Sequence, residues 1–279
     1  QRRLMQIYDK HSYNAIIVQP GKQCQWYCQG CYFHKFAKQN KLKGFGIPDW
    51  MPELILRILR QDGIAANQLT ISLNHTTIPD DDDYAGFLQA IFNGILADRA
   101  MHIKYSTELH FTLGIQTVSP LRKMYRWELI DAMADSISIS IDDWKMRGSF
   151  DQELAALDVH DKTPWNCNLM FTDGICKMFQ NNDPEPIFNK LLSRFDTIYM
   201  IAHKPALGGS YGALHRDSVR TVINTFNSLP SEWKEKRIIV DKCVQTCARS
   251  KYGCEAGINL LTVWPNGSIT ACPYSSNPI

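Results

Sequence analysis

No apolar run in this chain approaches the ~18 residues that a membrane helix needs, and the opening Gln1-Arg2-Arg3-Leu4-Met5 is not followed by an apolar stretch of signal-peptide length. The sequence therefore reads as cytoplasmic, with no membrane partner. It carries no excess of one charge either, because 30 Lys and Arg against 28 Asp and Glu leave a formal +2. That balance does not draw the chain toward nucleic acid, though it does not exclude such a partner. Internal repeats and low-complexity stretches are also missing. An apolar content of 44% over 279 residues suits one large domain, or a domain with an appendage.

Cysteine is what stands out, with nine in all and seven of them in two tight groups. In a reducing compartment such spacings read as metal ligands rather than disulfides. Cys167 and Cys176 stand apart and read as buried small hydrophobes. The first group, Cys24, Cys28 and Cys31, is a Cys-x3-Cys-x2-Cys loop directly after an apolar strand. Three thiolates at one site suit a cubane [4Fe-4S] cluster whose fourth iron stays open to a ligand from outside the protein. The alternative is structural zinc. Such sites close with a fourth Cys or His, and His34 follows Cys31 too soon to be a comfortable one.

Between residues 12 and 229 short β-rich runs alternate with segments of helical period, the signature of βα units around a parallel sheet. Six strands are expected, at Asn14 to Val18, Gln68 to Leu73, Leu109 to Thr112, Ser136 to Ile141, Asn166 to Phe171 and Thr197 to Ala202. Most read as near-continuous apolar runs, as when both faces are buried. Helices are expected over Pro52 to Arg60, Tyr84 to Leu96, Leu121 to Ala134, Pro184 to Phe195 and Val219 to Ser228. The acidic run Asp80 to Asp83 reads as a helix start rather than a cation site. The polar segment Pro230 to Lys236 divides the chain into 1–229 and 230–279.

The second group, Cys243, Cys247, Cys254 and Cys272, lies beyond that boundary. Two β-like runs, Ile258 to Trp264 and Ser268 to Ala271, meet at Pro265-Asn266-Gly267, a strong hairpin turn. A hairpin would deliver Cys254 and Cys272 to one place, where Cys243 and Cys247 complete a four-thiolate shell for an auxiliary [4Fe-4S] cluster or for zinc. After the sixth strand, His203 and Lys204 precede a glycine-rich loop. They are candidates to bind an anionic group or move a proton, against a purely structural role at a strand end.

The Cys24, Cys28, Cys31 spacing after a first strand, followed by βα units, resembles the radical S-adenosylmethionine (SAM) superfamily over roughly residues 12 to 205. That resemblance implies an α/β fold, a partial (β/α)6 TIM-like barrel, with SAM bound at the open iron and cleaved reductively to a 5'-deoxyadenosyl radical that abstracts hydrogen from an unactivated C–H bond. Cys254-x12-Gly267-x4-Cys272 resembles the opening motif of SPASM and twitch extensions, which implies a small Cys-rich hairpin module around one auxiliary cluster.

The superfamily's Gly-Gly-Glu element is missing from the second strand's end, where Asn74, His75 and Thr76 are the candidates to replace it. Thr112 matches the third-strand Thr-Asn-Gly, and Ser140 and Asp142 match the Ser-x-Asp that ends the fourth, which implies SAM contacts for Ser140 above all. Tyr32 could offer its face to adenine or pack under the loop. The implied partners are a reductant such as flavodoxin or ferredoxin and a peptide, amino-acid or nucleoside substrate, the nucleoside free or within nucleic acid. No leader-binding domain precedes the first strand, which weighs modestly against a peptide enzyme of that kind. Gln29-Gly30-Cys31 also resembles glycyl-radical activases, which need a large protein partner, and a non-catalytic metal-binding module is the remaining alternative.

Overall fold

The structure is a computed structural model describing residues 13–21, 32–43, 46–61, 64–72, 82–103, 109–115, 132–142, 152, 163–203, 216–241, 244 and 260–273. Among the described residues nine strands form one sheet: β1 (Tyr13–Val18), β2 (Ile64–Ser72), β3 (His110–Ile115), β4 (Ser136–Ile141), β5 (Trp165–Phe171), β6 (Thr197–Ala202), β7 (Ile238–Val240), β8 (Leu260–Val263) and β9 (Ile269–Thr270). Their spatial order is β7-β6-β5-β4-β3-β2-β1-β8-β9. Every neighbouring pair is parallel except β8 and β9. From β1 to β7 each strand is added on the same side of the last. Right-handed crossovers made in one direction put all their helices on one face of the sheet, which gives a barrel-like α/β arrangement rather than a doubly wound one.

The helices described are α1 (Tyr32–Gln39), α2 (Met51–Leu59), α3 (Asp82–Ala100), α4 (Asp173–Asn181), α5 (Pro184–Leu192), α6 (Arg216–Ser228) and α7 (Ser231–Lys236). Their sequences explain their starts. Asp183 accepts a hydrogen bond from the Glu185 N–H at 3.1 Å, with Pro184 as the first residue of α5, where its missing N–H costs nothing. α3 begins at Asp82, inside the acidic run, as carboxylates near the positive helix end favour. Helix residues such as Ile55, Phe87, Ile91, Phe188 and Val222 form one core with Ile16, Leu69, Leu113, Ile139, Leu169 and Met200 of the strands.

The six expected strands are present, with β4 and β6 at the expected bounds. The expectation that most are apolar on both faces is corrected in β5 and β6, whose residues alternate between buried and half-exposed. In β4 the alternation is chemical: Ile137, Ile139 and Ile141 join the core while Ser138 and Ser140 occupy the other face. Helix-side packing demands apolar side chains on one face only. Leu121 to Ala134 falls almost entirely outside the described residues.

Three helices and one strand were not read from the sequence. α4 hides between Asp173-Gly174 and Asn181-Asn182-Asp183-Pro184, which punctuate like turns, yet Ile175, Cys176 and Phe179 give it a buried stripe. α1 follows directly on the cysteine loop. α7 occupies the segment read as a boundary, and β7, which follows it, pairs with β6. β8 pairs in parallel with β1, so residues beyond 229 extend both flanks of the sheet.

The turn at Pro265-Asn266-Gly267 forms as expected. The Gly267 N–H donates to the Trp264 carbonyl at 2.9 Å, and the Trp264 N–H to the Ser268 carbonyl at 3.0 Å. Gly267 has φ +79°, the left-handed position that this three-residue hairpin reserves for glycine.

Candidate functional site

A parallel sheet collects the carboxyl ends of its strands along one rim, and connecting loops there are free to carry chemistry. β1 ends at Val18 and is followed by Gln19, 1% exposed, whose N–H donates to the Val263 carbonyl of β8 at 2.9 Å. The chain then enters the segment that holds Cys24, Cys28 and Cys31, which lies outside the described residues. α1 begins at Tyr32, one residue after Cys31.

Around the same rim β4 is followed by Asp142, β5 by Thr172 and β6 by His203. Asp142 and Thr172 are buried at 1% and 0% exposure. His203 is tied down through its backbone, its N–H donating to Ser218 Oγ at 2.8 Å, and Ser218 Oγ donates in turn to the Phe171 carbonyl at 2.7 Å. One hydroxyl of α6 thus joins the ends of β5 and β6.

Of the other expected residues, Ser140 is 8% exposed and stands opposite Asn168 of β5, below Asp142 on the same face. Thr112 is deeper than expected, since β3 runs three residues beyond it to Ile115. It stands between Thr70 and Ser136, with its Oγ1 3.0 Å from Ser136 Oγ. Asn74, His75, Thr76 and Lys204 lie outside the described residues, as does the side chain of Tyr32.

The face opposite the helices is polar in its middle rows, with Ile17 beside Thr70 and with Met170 and Ile201 nearer the rim. Thr70, Thr112, Ser138, Ser140, Asn168 and Tyr199 share it by register. Partial burial pushes the Tyr199 phenol above its ordinary pKa, so it holds its proton throughout the neutral range. Sequence reading missed Asn168, Tyr199 and Ser138. The period-2 run from Ser136 to Asp142 was the available signal.

Cys167 points to the other face. It is fully buried among core residues, and burial pushes its thiol well up, which removes it as a nucleophile or ligand at neutral pH. Cys176 is also buried, its Sγ 3.5 Å from the Phe171 carbonyl. Both behave as the small hydrophobes expected.

In the second cysteine group only Cys272 is described, because Cys243, Cys247 and Cys254 lie outside the described residues. Cys272 follows β9, and its carbonyl accepts from Thr270 Oγ1 at 2.9 Å. Thr270 Oγ1 accepts in turn from Trp264 Nε1 at 2.8 Å. The Trp264 ring is fully buried and stacks on Phe36 of α1, with centroids 3.7 Å apart and an interplanar angle of 16°. A satellite core of Phe33, Phe36, Ala37 and Trp264 therefore fastens the hairpin that carries Cys272 to the helix that leaves the first cysteine loop. Val244, beside Cys243, is fully buried. No three His, Cys, Asp or Glu side chains converge among the described residues. No helix among them is long and apolar enough to cross a membrane.

No protein-family model matches this chain, and no curated protein matches it. Its fold is that of solved structures. Native anSMEcpe with bound AdoMet superimposes with a TM-score of 0.50 at 13% identity, over 93% of this chain and 75% of that one. Hexahistidine-tagged anSMEcpe with bound AdoMet gives a TM-score of 0.50 at 14% identity, over 94% of this chain and 74% of the other. The chain is thus an α/β protein with the partial TIM-like barrel architecture of AdoMet-bound anSMEcpe.

Proposed function

We propose that this chain is a radical SAM enzyme. The observation that carries the proposal is the Cys-x3-Cys-x2-Cys run of Cys24, Cys28 and Cys31 in the stretch of sequence between β1 and α1, in a chain whose parallel sheet is sequentially ordered. The fold is shared with AdoMet-bound anSMEcpe, which supports SAM as the ligand of that rim. The donor chemistry fits, since three thiolates hold three irons of a [4Fe-4S] cluster and leave one for SAM. Bound there, the two cofactors supply one-electron cleavage of SAM and, through it, hydrogen abstraction from an unreactive C–H bond.

The chain's own residues do the rest. Ser140 and Asp142 hold SAM from the end of β4, and Thr112 supports the layer beneath them. Asn74, His75 or Thr76 takes the place of the Gly-Gly-Glu element, and Tyr32 covers the adenine. His203 and Lys204 bind substrate or move its proton from the end of β6, with Ser218 fixing the His203 backbone. Within residues 230–279, whose strands join both flanks of the sheet, Cys243, Cys247, Cys254 and Cys272 hold an auxiliary [4Fe-4S] cluster in the manner of a twitch extension. The electron donor is a flavodoxin- or ferredoxin-type protein, and the substrate is a peptide, an amino acid or a nucleoside.

Anaerobically reconstituted protein given SAM and dithionite is expected to form 5'-deoxyadenosine. The Cys24→Ala, Cys28→Ala, Cys31→Ala triple variant is expected to form none and to fall from about eight bound irons to about four. A wild type that binds iron yet leaves SAM intact would refute the proposal.

A further inference from the structure

We infer that the substrate of this site is a small, uncharged, polyhydroxylated molecule of the sugar or nucleoside class, held by hydroxyl and amide groups on the helix-free face of the sheet. The inference rests on the radical SAM reading above and narrows its substrate. Three rows of that face follow from register. Thr70, Thr112 and Ser136 stand side by side, then Ser138, Asn166 and Thr197, then Ser140, whose hydroxyl the reading above gives to SAM, with Asn168 and Tyr199 beside it; Met170 and Ile201 lie beyond them toward the rim. Helices cover the opposite face, so these side chains look into the interior of the partial barrel. Asn166, Asn168 and Tyr199 are only half-buried, so the interior is open to a ligand rather than filled by an apolar core.

The chemistry of the rows decides the class. Serine, threonine and tyrosine hydroxyls and asparagine amides each donate and accept, and they match ligand groups that do the same. Sugar hydroxyls and base amides are such groups. A phosphate or carboxylate offers only acceptors and is met by Arg, Lys or clustered N–H donors. None of the nine residues in the three rows is Lys or Arg, and the charged side chain that the described residues place beyond them on this face is the carboxylate of Asp142, which repels an anion.

The rows also lie below the rim, at a depth that a small molecule reaches more readily than a folded polymer.

The test is equilibrium binding to the whole reconstituted chain, with SAM saturating and no reductant present, read by calorimetry. The probes are uridine, uridine 5'-monophosphate, glucose and acetyl-alanyl-alanine amide. Uridine or glucose is expected to bind in the millimolar range or tighter, and the phosphate of the monophosphate to weaken binding at least tenfold. Asn168→Asp and Tyr199→Phe change little volume, and each is expected to weaken neutral binding by about tenfold, roughly one hydrogen bond, with an unchanged circular dichroism spectrum. Tighter binding of the monophosphate, binding of the dipeptide amide alone, no binding of uridine or glucose, or uridine and glucose binding unaffected by both variants would overturn the inference. Deoxyadenosine formation by the wild type, measured separately with dithionite, reports on the radical SAM reading, so the two can fail independently.

Discussion

Ser218 illustrates how much of this site depends on single polar atoms. Its hydroxyl accepts from the His203 N–H and donates to the Phe171 carbonyl, and the residue is 1% exposed. Replacing it with alanine leaves two backbone groups without that partner, which costs about 2 kcal/mol. Ser218→Ala is therefore expected to lower the melting temperature by about 5 °C, and amide exchange should rise at His203 before it rises in the core strands. An unchanged melting curve would show that the hydroxyl bridges nothing of consequence. No sequence rule could select Ser218, because its partners lie 15 and 47 residues away. Asp135 and Asp196 are similar cases at the opposite rim, accepting from the N–H groups of Phe111 and Trp165 at 2.7 and 3.0 Å and pinning the strand entries. Cys167 was legible for the opposite reason, since an isolated cysteine in an apolar strand needs no distant partner to be read as core.

Among the elements, the hairpin and the helix after the first cysteine loop are one mechanical unit. Trp264 stacks on Phe36 and hydrogen bonds Thr270, and Asn266 Nδ2 reaches Asn40 Oδ1 at 3.1 Å. Trp264→Ala removes the largest side chain of that satellite core, a loss of about 4 kcal/mol. The expected outcome is local: hydrogen exchange accelerates in α1, β8 and β9 while β4, β5 and β6 keep their protection. Uniform acceleration would mean that the joint is not separable from the main core. The hairpin turn was plain in Pro265-Asn266-Gly267 because turn chemistry is local. The pairing of β8 with β1 was not, since a four-residue apolar strand carries no mark of its neighbour. α4 was lost to its flanking Asp-Gly and Asp-Pro pairs, and only the fold reveals that Ile175 and Phe179 share a buried face.

Across the whole molecule the sheet is closed on its flanks by residues beyond 229, with β7 against β6 and β8 against β1. A chain ending at residue 229 would expose both of those strand edges, which invite aggregation. It is expected to be recovered mainly in the insoluble fraction, whereas the uncut chain stays monodisperse by light scattering, and a soluble, cooperatively melting fragment would contradict this.

The sequence alone determined the α/β class, the six strands of the barrel and the position of the first three cysteines after β1, because apolar periodicity and Cys spacing are local patterns. Only the tertiary structure decided which side chains share a face. It set Ser140 against Asn168 and Tyr199, placed Thr112 below the rim rather than on it, and laid the Cys272 hairpin on α1. These are contacts between segments far apart in the chain, fixed by strand order and register, and no single stretch of sequence encodes either.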